Sequence, residues 1–137
     1  MHVLVDTSVW SLVLRRQNVV IELEHYKQAL TNLILNSKAA IIGAIRQELL
    51  SGIKSPSQFN RLKSYLQAFP DLILDTKDFE FAAELFNHCR SKGVQGSHID
   101  FLITAVAITR EMTVFTLDQD FQSYAKHTAL KLYTPYF

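Results

Sequence analysis

The chain has 137 residues, of which 48% are apolar and 20% charged, and its net charge of +1 neither favours nor excludes a nucleic-acid partner. This composition excludes intrinsic disorder and low-complexity architectures, and the length predicts a single domain over residues 1–137. The lone cysteine, Cys89, excludes an intramolecular disulfide framework and a Cys-rich zinc site. Uncharged runs reach only about ten residues, half of a membrane-spanning helix, and an acid interrupts the N-terminal apolar run. We therefore expect a soluble cytoplasmic protein with no membrane partner.

Short apolar runs alternate along the chain with segments of helical periodicity. Strands are predicted at residues 2–5, 39–43, 71–74, 113–117 and 130–133. Helices are predicted at residues 9–16, 21–37, 44–53, 56–69, 77–92, 99–112 and 119–126. Alternating strands and helices favour an α/β fold with a mainly parallel central sheet.

Two aspartates occupy positions that need an explanation. Asp6 ends the first apolar strand, where it either caps the following helix or faces a ligand, and one carboxylate can do both. Asp100 begins the most apolar helix of the chain. A favourable interaction with the helix dipole explains an acid there, but a largely buried carboxylate also needs a compensating partner.

Acids also follow the second and fourth predicted strands. Glu48 lies in the helix after the second strand, on the face that points back toward the strand end. Asp118 follows the fourth strand, where it or Thr116 can cap the next helix, and Asp120 is a rival for any metal-facing role. The carboxyl ends of parallel strands meet at one edge of a sheet, so these acids are expected to converge there.

Such a cluster of carboxylates requires a neutralising cation. All-oxygen ligation selects a hard ion, Mg²⁺ or Mn²⁺, and such an ion suits phosphoryl chemistry. Setting four acids aside leaves nine others against 14 Lys and Arg, a basic surplus that suits a nucleic-acid substrate.

Four stretches in this order resemble the PIN-domain nucleases, and within them the VapC toxins of toxin–antitoxin modules. They are residues 3–10 (VLVDTSVW), 48–52 (ELLSG), 99–107 (IDFLITAVA) and 116–121 (TLDQDF). The resemblance spans essentially the whole chain. It implies a three-layer α/β/α fold, with a sheet of four to five strands, and Mg²⁺- or Mn²⁺-dependent endoribonuclease activity through a metal-activated water. It also implies a homodimer and inhibition by a cognate VapB-like antitoxin.

The resemblance also implies roles for individual residues. Asp6, Asp100 and Asp118 would bind the metal, and Glu48 would complete the catalytic set or orient the attacking water. Thr116 would accompany the fourth acid, and Asp120 is the rival of Asp118. Two further supporting candidates come from their positions in the sequence alone: Ser8 at the start of the first helix, and Arg46 two residues from Glu48. Whether Asp118 or Asp120 faces the metal stays open. His98 stands near the position where many relatives have a proline, so it is either a substrate contact or a simple helix-start residue.

Substrate and partner surfaces are less specific in the sequence. The candidate RNA-contacting cations are Arg15, Arg16, Arg46, Lys54 and Lys92, and the apolar stripe from Phe59 to Phe69 is a candidate subunit or antitoxin interface. The alternatives are a PIN-fold nuclease acting on DNA or in RNA processing outside a toxin module, a metal-dependent phosphatase or phospho-receiver domain, and a non-catalytic binding module. The sequence lacks the Asp-x-Asp pattern of one phosphatase class and the strand-end Lys of a receiver, and its full set of four acids disfavours a purely binding module.

Overall fold

The computed structural model describes residues 1–14 and 21–135, with nothing said of the side chains at positions 21 and 22. These residues form three strands: β1 (Val3–Val5), β2 (Ala39–Ala40) and β3 (Thr113–Phe115). They also form seven helices: α1 (Thr7–Leu14), α2 (Ile21–Leu35), α3 (Gly43–Leu50), α4 (Pro56–Leu66), α5 (Thr76–Ser91), α6 (His98–Thr109) and α7 (Asp120–His127).

The three strands form one parallel sheet in the order β2-β1-β3. Leu4 of the central strand pairs with Ala40 on one side and with Val114 on the other. All three residues of β1 are buried although successive side chains point to opposite faces, so both faces of the sheet are covered. The predicted α/β fold with a parallel sheet is therefore confirmed.

The predicted sheet of four to five strands is too large, because two predicted strands form only isolated bridges in the described part of the chain. Asp71 bridges Ile41 beyond β2, and Leu132 bridges Val114 beyond β3, both in the parallel direction. The first edge is supported by a hydrogen bond from Leu72 N to Ile41 O at 2.9 Å. Pro70, immediately before it, has no N–H with which to extend the pairing.

Helix α6 forms the centre of the core. Every residue from 101 to 107 is buried, as the nearly continuous apolar run predicts. Ser97 caps the helix by accepting a hydrogen bond from the Asp100 backbone N–H at 3.0 Å. The helix ends at Thr109, three residues before its predicted end, because Glu111 has a φ of 55° and has left the helical region.

Two further helices end three residues before their predicted last residue: α3 at Leu50 instead of residue 53, and α4 at Leu66 instead of residue 69. The predicted end of α1 at residue 16 lies outside the described residues, and so do Arg15 and Arg16. None of the helices in residues 1–14 and 21–135 combines the length and the apolar character needed to cross a membrane.

Candidate active site

Asp6 lies at the carboxyl end of the central strand and is 7% exposed. Its Oδ2 accepts hydrogen bonds from Thr116 Oγ1 at 2.8 Å and from Ser8 Oγ at 3.0 Å. The hydrogen bonds to this carboxylate in the described residues thus come from hydroxyls, so the capping interpretation of Asp6 finds no backbone donor here. Helix α1 is instead anchored by the Asp6 carbonyl, which accepts from the N–H groups of Val9 and Trp10.

The loop after β3 is fixed to the same corner by hydroxyl groups. Ser8 Oγ accepts from Leu117 N at 3.0 Å, and Thr116 Oγ1 accepts from Asp118 N at 2.9 Å. Asp118 Oδ1 in turn accepts from Asp120 N at 2.9 Å, at the start of α7. Ser8 and Thr116 therefore connect Asp6 to the loop that presents Asp118.

Asp100 projects from the first turn of α6 and is partly buried. Burial raises the pKa of this carboxyl, and the charges of Asp6 and Asp118 raise it further. Hydrogen bonds from Tyr124 and Ser97 act in the opposite direction. Asp100 thus lies within electrostatic range of both other aspartates, although the three are far apart in the sequence.

Glu48 is held by a residue that the sequence analysis did not select. Thr7, the first residue of α1, donates from Oγ1 to Glu48 Oε1 at 2.8 Å, across 41 positions of the chain. Thr7 directly follows Asp6, so the same strand end also orients Glu48. The signal available in the sequence was a hydroxyl residue beside the first acid, which by itself is common at helix starts.

Tyr124 is the second residue that the sequence analysis missed. It is fully buried in α7, and its hydroxyl donates to Asp100 Oδ2 at 2.7 Å. Burial raises the pKa of Tyr124, and the neighbouring carboxylate of Asp100 adds to this effect, so the phenol stays a proton donor at neutral pH. Its position three residues after the buried Phe121 marks the inward face of α7, which was the available signal.

The described contacts of Arg46, predicted as a supporting residue of the site, are structural, and its role at the site stays a prediction. Its guanidinium pairs with Asp71 at 3.0 Å and donates to the carbonyls of Leu66 and Phe69 at the end of α4. These contacts connect α3 to the chain that follows α4. The other described cations of the prediction, Lys54 and Lys92, are exposed, and their contact with RNA stays a prediction.

His98 and the predicted apolar stripe also have definite environments. His98 is exposed, begins α6 and stacks on Phe86 with ring centroids 4.9 Å apart. In the stripe, Leu62 and Leu66 are buried in the core, which leaves Tyr65 as its exposed aromatic residue at 44% exposure. Leu62 and Leu66 thus belong to the core, and an interface formed by the rest of the stripe stays a prediction.

Asp6, Asp100 and Asp118 share one electrostatic environment, and none of them pairs with a Lys, Arg or His of the described residues. In the part of the chain that the structure describes, the two ion pairs, Arg46–Asp71 and Arg110–Asp78, lie outside this group. Within the same residues, no three Asp, Glu, His or Cys side chains already form a metal-coordinating group. The acids therefore form a negatively charged corner instead of a preformed coordination shell.

This corner fits a hard divalent cation by the chemistry of its donors. All candidate ligands are oxygens, and the hydrogen bonds found in the described residues occupy only Oδ2 of Asp6 and only Oδ1 of Asp118. One oxygen of each carboxylate is left to a ligand. Carboxylates with additional water ligands are the usual binding mode of Mg²⁺ in proteins.

Comparisons with known proteins agree with this architecture. The family model of the PIN domain matches residues 3–127. The chain therefore belongs to the PIN-domain family, whose members are nucleases. No curated protein sequence matches the chain significantly.

Solved structures share the fold at low sequence identity. A chain in the crystal structure of FitAcB from Neisseria gonorrhoeae is 23% identical with a TM-score of 0.76, over 97% of both chains. A chain of VapBC2 from Rickettsia felis, bound to a promoter DNA fragment, is 20% identical with a TM-score of 0.77, over 97% of this chain and 98% of that one. A toxin–antitoxin complex from Klebsiella pneumoniae contains a chain 21% identical with a TM-score of 0.68, over 98% of both. At this identity the likeness establishes the fold.

Proposed function

We propose that the chain, as one PIN-like unit over residues 1–137, is a Mg²⁺- or Mn²⁺-dependent endoribonuclease of the VapC toxin type that acts in the cytoplasm. The observation behind this proposal is the corner at the carboxyl edge of the sheet. There the Thr116 hydroxyl donates to the Asp6 carboxylate and accepts from the Asp118 backbone N–H, and the charges of Asp6 and Asp118 both act on Asp100. Family membership supports nuclease chemistry. RNA is favoured as substrate by the resemblance to VapC toxins and by the basic surplus outside the acids.

Asp6, Asp100 and Asp118 are the residues that would hold the metal. When bound, the ion supplies charge stabilisation at a phosphate oxygen and a water of lowered pKa. Glu48, oriented by Thr7, accepts a proton from the attacking water or positions that water. Asp118 is favoured over Asp120 as the metal ligand because its charge acts on Asp100. The backbone N–H of Asp120 donates to Oδ1 of Asp118 and so helps to orient that carboxylate.

The decisive test is cleavage of a panel of RNAs by purified protein with Mg²⁺, Mn²⁺ or EDTA. Wild type should cleave only with the divalent ion, whereas Asp6→Asn and Asp100→Asn should each lose at least about a hundredfold in rate. Glu84→Gln, which neutralises an exposed acid of α5, is the matched control and should behave as wild type. Cleavage that survives EDTA, or full activity in both aspartate variants, would refute the metal-nuclease proposal. The same panel should include DNA, since a DNA-only nuclease is the main alternative.

We further propose that a VapB-like antitoxin restrains this activity. The solved structures that share the fold include toxin–antitoxin complexes. A groove of about 770 Å³ is open between the end of α1 and the start of α4, and its lining combines Leu14, Ile53 and Tyr65 with the cations Lys54 and Arg61. Such a lining suits an amphipathic segment with acidic residues. The homodimer implied by the family resemblance stays a prediction.

The antitoxin proposal is testable with the product of a small adjacent gene. Co-expression should yield a stable complex without RNA cleavage, and Tyr65→Asp with Arg61→Glu should weaken that complex. If the adjacent gene product leaves cleavage unchanged, a housekeeping role in RNA processing becomes the better interpretation.

A further inference from the structure

A buried tyrosine hydroxyl makes a hydrogen bond to one of the proposed metal ligands. Tyr124 is 0% exposed, and its hydroxyl donates to Asp100 Oδ2 at 2.7 Å. Buried tyrosines generally need a partner for the hydroxyl, because an unpaired polar group in the core costs about 1 to 3 kcal/mol. Here the partner is a partly buried carboxylate, so the bond is short and charge-assisted.

The ring of Tyr124 is held in place by aromatic packing. Its centroid lies 4.7 Å from that of Phe101, which follows Asp100 in α6, and 5.1 Å from that of Phe121 in α7. Both phenylalanines are buried. The ring therefore has little freedom to move, and its hydroxyl donates to Asp100 from a fixed position.

Gly96 provides the space that this hydroxyl occupies. A Cβ at position 96 would lie 2.3 Å from the Tyr124 hydroxyl oxygen and 2.7 Å from the ring carbon that bears it. It would also lie 2.9 Å from the Phe101 ring. Any residue larger than glycine must therefore displace Tyr124 or Phe101, so the loop before α6 and the tyrosine of α7 are sterically matched.

We propose that Tyr124, with space provided by Gly96, is a positioning residue that fixes the carboxylate of Asp100 for metal binding. Tyr124 takes Oδ2 and thereby orients the carboxylate, in the way that groups hydrogen-bonded to metal ligands orient those ligands. Helix α7 begins at Asp120, directly after the loop that carries Asp118, and it also carries Tyr124. It therefore connects the loop of Asp118 to the carboxylate of Asp100. The inference rests on the proposed function for the identity of the ion, but the geometry of Asp100 can be tested without it.

The first test is Tyr124→Phe, which removes the hydroxyl and keeps the ring. Its crystal structure should show Asp100 rotated or in more than one conformer, and Mn²⁺ titrated by calorimetry without RNA should bind about 10- to 100-fold more weakly than to wild type. The kcat for RNA cleavage should fall by a similar factor, while KM for RNA should stay unchanged. Tyr133→Phe is the matched control, because Tyr133 is a partly buried tyrosine that packs its ring on Phe115.

The second test is Gly96→Ala, alone and combined with Tyr124→Phe. The alanine alone should weaken Mn²⁺ binding as Tyr124→Phe does, because it displaces the hydroxyl. In the double variant the two losses in Mn²⁺ binding should be less than additive, since the hydrogen bond can be lost only once, while the clash of the Cβ with the ring at position 124 and with Phe101 remains. Fully additive losses would indicate general damage to the fold and contradict the positioning role.

The failure of this inference is distinguishable from the failure of the proposed function. If wild type binds Mn²⁺ and cleaves RNA, but Tyr124→Phe keeps the Asp100 conformer and binds Mn²⁺ within twofold of wild type, the positioning role is wrong. If wild type neither binds Mn²⁺ nor cleaves RNA, the proposed function is wrong, and the conformation of Asp100 in the Tyr124→Phe crystal still decides whether Tyr124 positions it.

Discussion

The carboxylates of Asp78 and Asp6 are equally well buried, at 4% and 7% exposure, yet their partners differ in kind. Arg110 donates to both oxygens of Asp78, at 2.8 and 3.1 Å, and the backbone N–H of Asp75 donates to Oδ2 at 2.9 Å. Asp6 receives two neutral hydroxyls and, within the described residues, pairs with no Lys or Arg. Asp78 is neutralised by Arg110, whereas Asp6 belongs to a group of acids to which the described residues supply no counter-charge.

The pKa shifts express the same difference. The hydrogen bond from Arg110 holds the pKa of Asp78 below its ordinary value. Burial raises the pKa of Asp100, and its acidic neighbours raise it further. A folded chain therefore gains stability from ionised Asp78 and loses stability from ionised Asp100. Within the described residues, Asp78 thus receives its counter-charge from the chain, whereas Asp6 and Asp100 pair with no Lys or Arg.

The largest expected effect on stability comes from breaking the Asp78–Arg110 ion pair. Asp78→Ala leaves the Arg110 guanidinium without its partner and removes the capping box at the start of α5, so we expect a loss of about 3 kcal/mol in unfolding free energy. Urea unfolding at neutral pH measures this loss, with the exposed Glu84→Ala as control. RNA cleavage per folded molecule should be unchanged. A loss below about 1 kcal/mol would contradict a substantial stabilising role of the Asp78–Arg110 pair.

Lowering the pH should weaken the Asp78–Arg110 pair, because it protonates Asp78. Because the folded-state pKa of Asp78 is below the ordinary value of 3.8, its stabilisation is fully present above that value and is lost as the pH falls through the lower folded pKa. The difference in unfolding free energy between wild type and Asp78→Asn should therefore shrink from pH 5 toward pH 2. Urea unfolding across this range measures it. A constant difference would mean that the Asp78–Arg110 charge interaction contributes little.

A divalent ion should raise the unfolding free energy through the acidic corner of Asp6, Asp100 and Asp118, and not through the Asp78–Arg110 pair. At a Mg²⁺ concentration ten times its dissociation constant, the unfolding free energy of wild type should rise by about 1.4 kcal/mol. Asp78→Asn should keep this gain on its lower baseline, whereas Asp6→Asn should lose most of it. Thermal unfolding with and without Mg²⁺ checks the contrast, and Ca²⁺ is a useful comparison ion. An equal gain in both variants would indicate nonspecific binding.

Much of this comparison was predictable from the sequence, because it depends on where strands end. Asp6 follows an apolar strand and Asp100 opens an apolar helix, and both positions predicted a corner at the sheet edge. The parallel α/β arrangement followed from the alternation of elements. The extent of the two edge strands was overestimated. Apolar runs at 71–74 and 130–133 predict extended backbone, but they do not predict how many sheet hydrogen bonds each run forms.

The contacts that connect these elements were not predictable. Thr7 reaches Glu48, and Tyr124 reaches Asp100, across 41 and 24 positions of the chain. Arg46, close to Glu48 in sequence, turns away to the end of α4, because a helix places residues two apart on different faces. Local periodicity assigns a residue to a face, but only the packing of helices decides which polar group it meets.

The smallest effect gives the sharpest test of the comparison, because its sign is opposite to that of Asp78→Ala. Asp100→Asn removes an ionised group whose folded-state pKa is raised, and that charge costs stability once the pH exceeds this pKa. In EDTA at pH 7, the variant should therefore be more stable than wild type by about 0.5 to 1 kcal/mol, while RNA cleavage is lost. Urea unfolding measures the gain, with Asp118→Asn expected to give a smaller one because Asp118 is exposed. A destabilised Asp100→Asn would mean that the hydrogen bond from Tyr124 outweighs burial and repulsion, and that the fold compensates this acid after all.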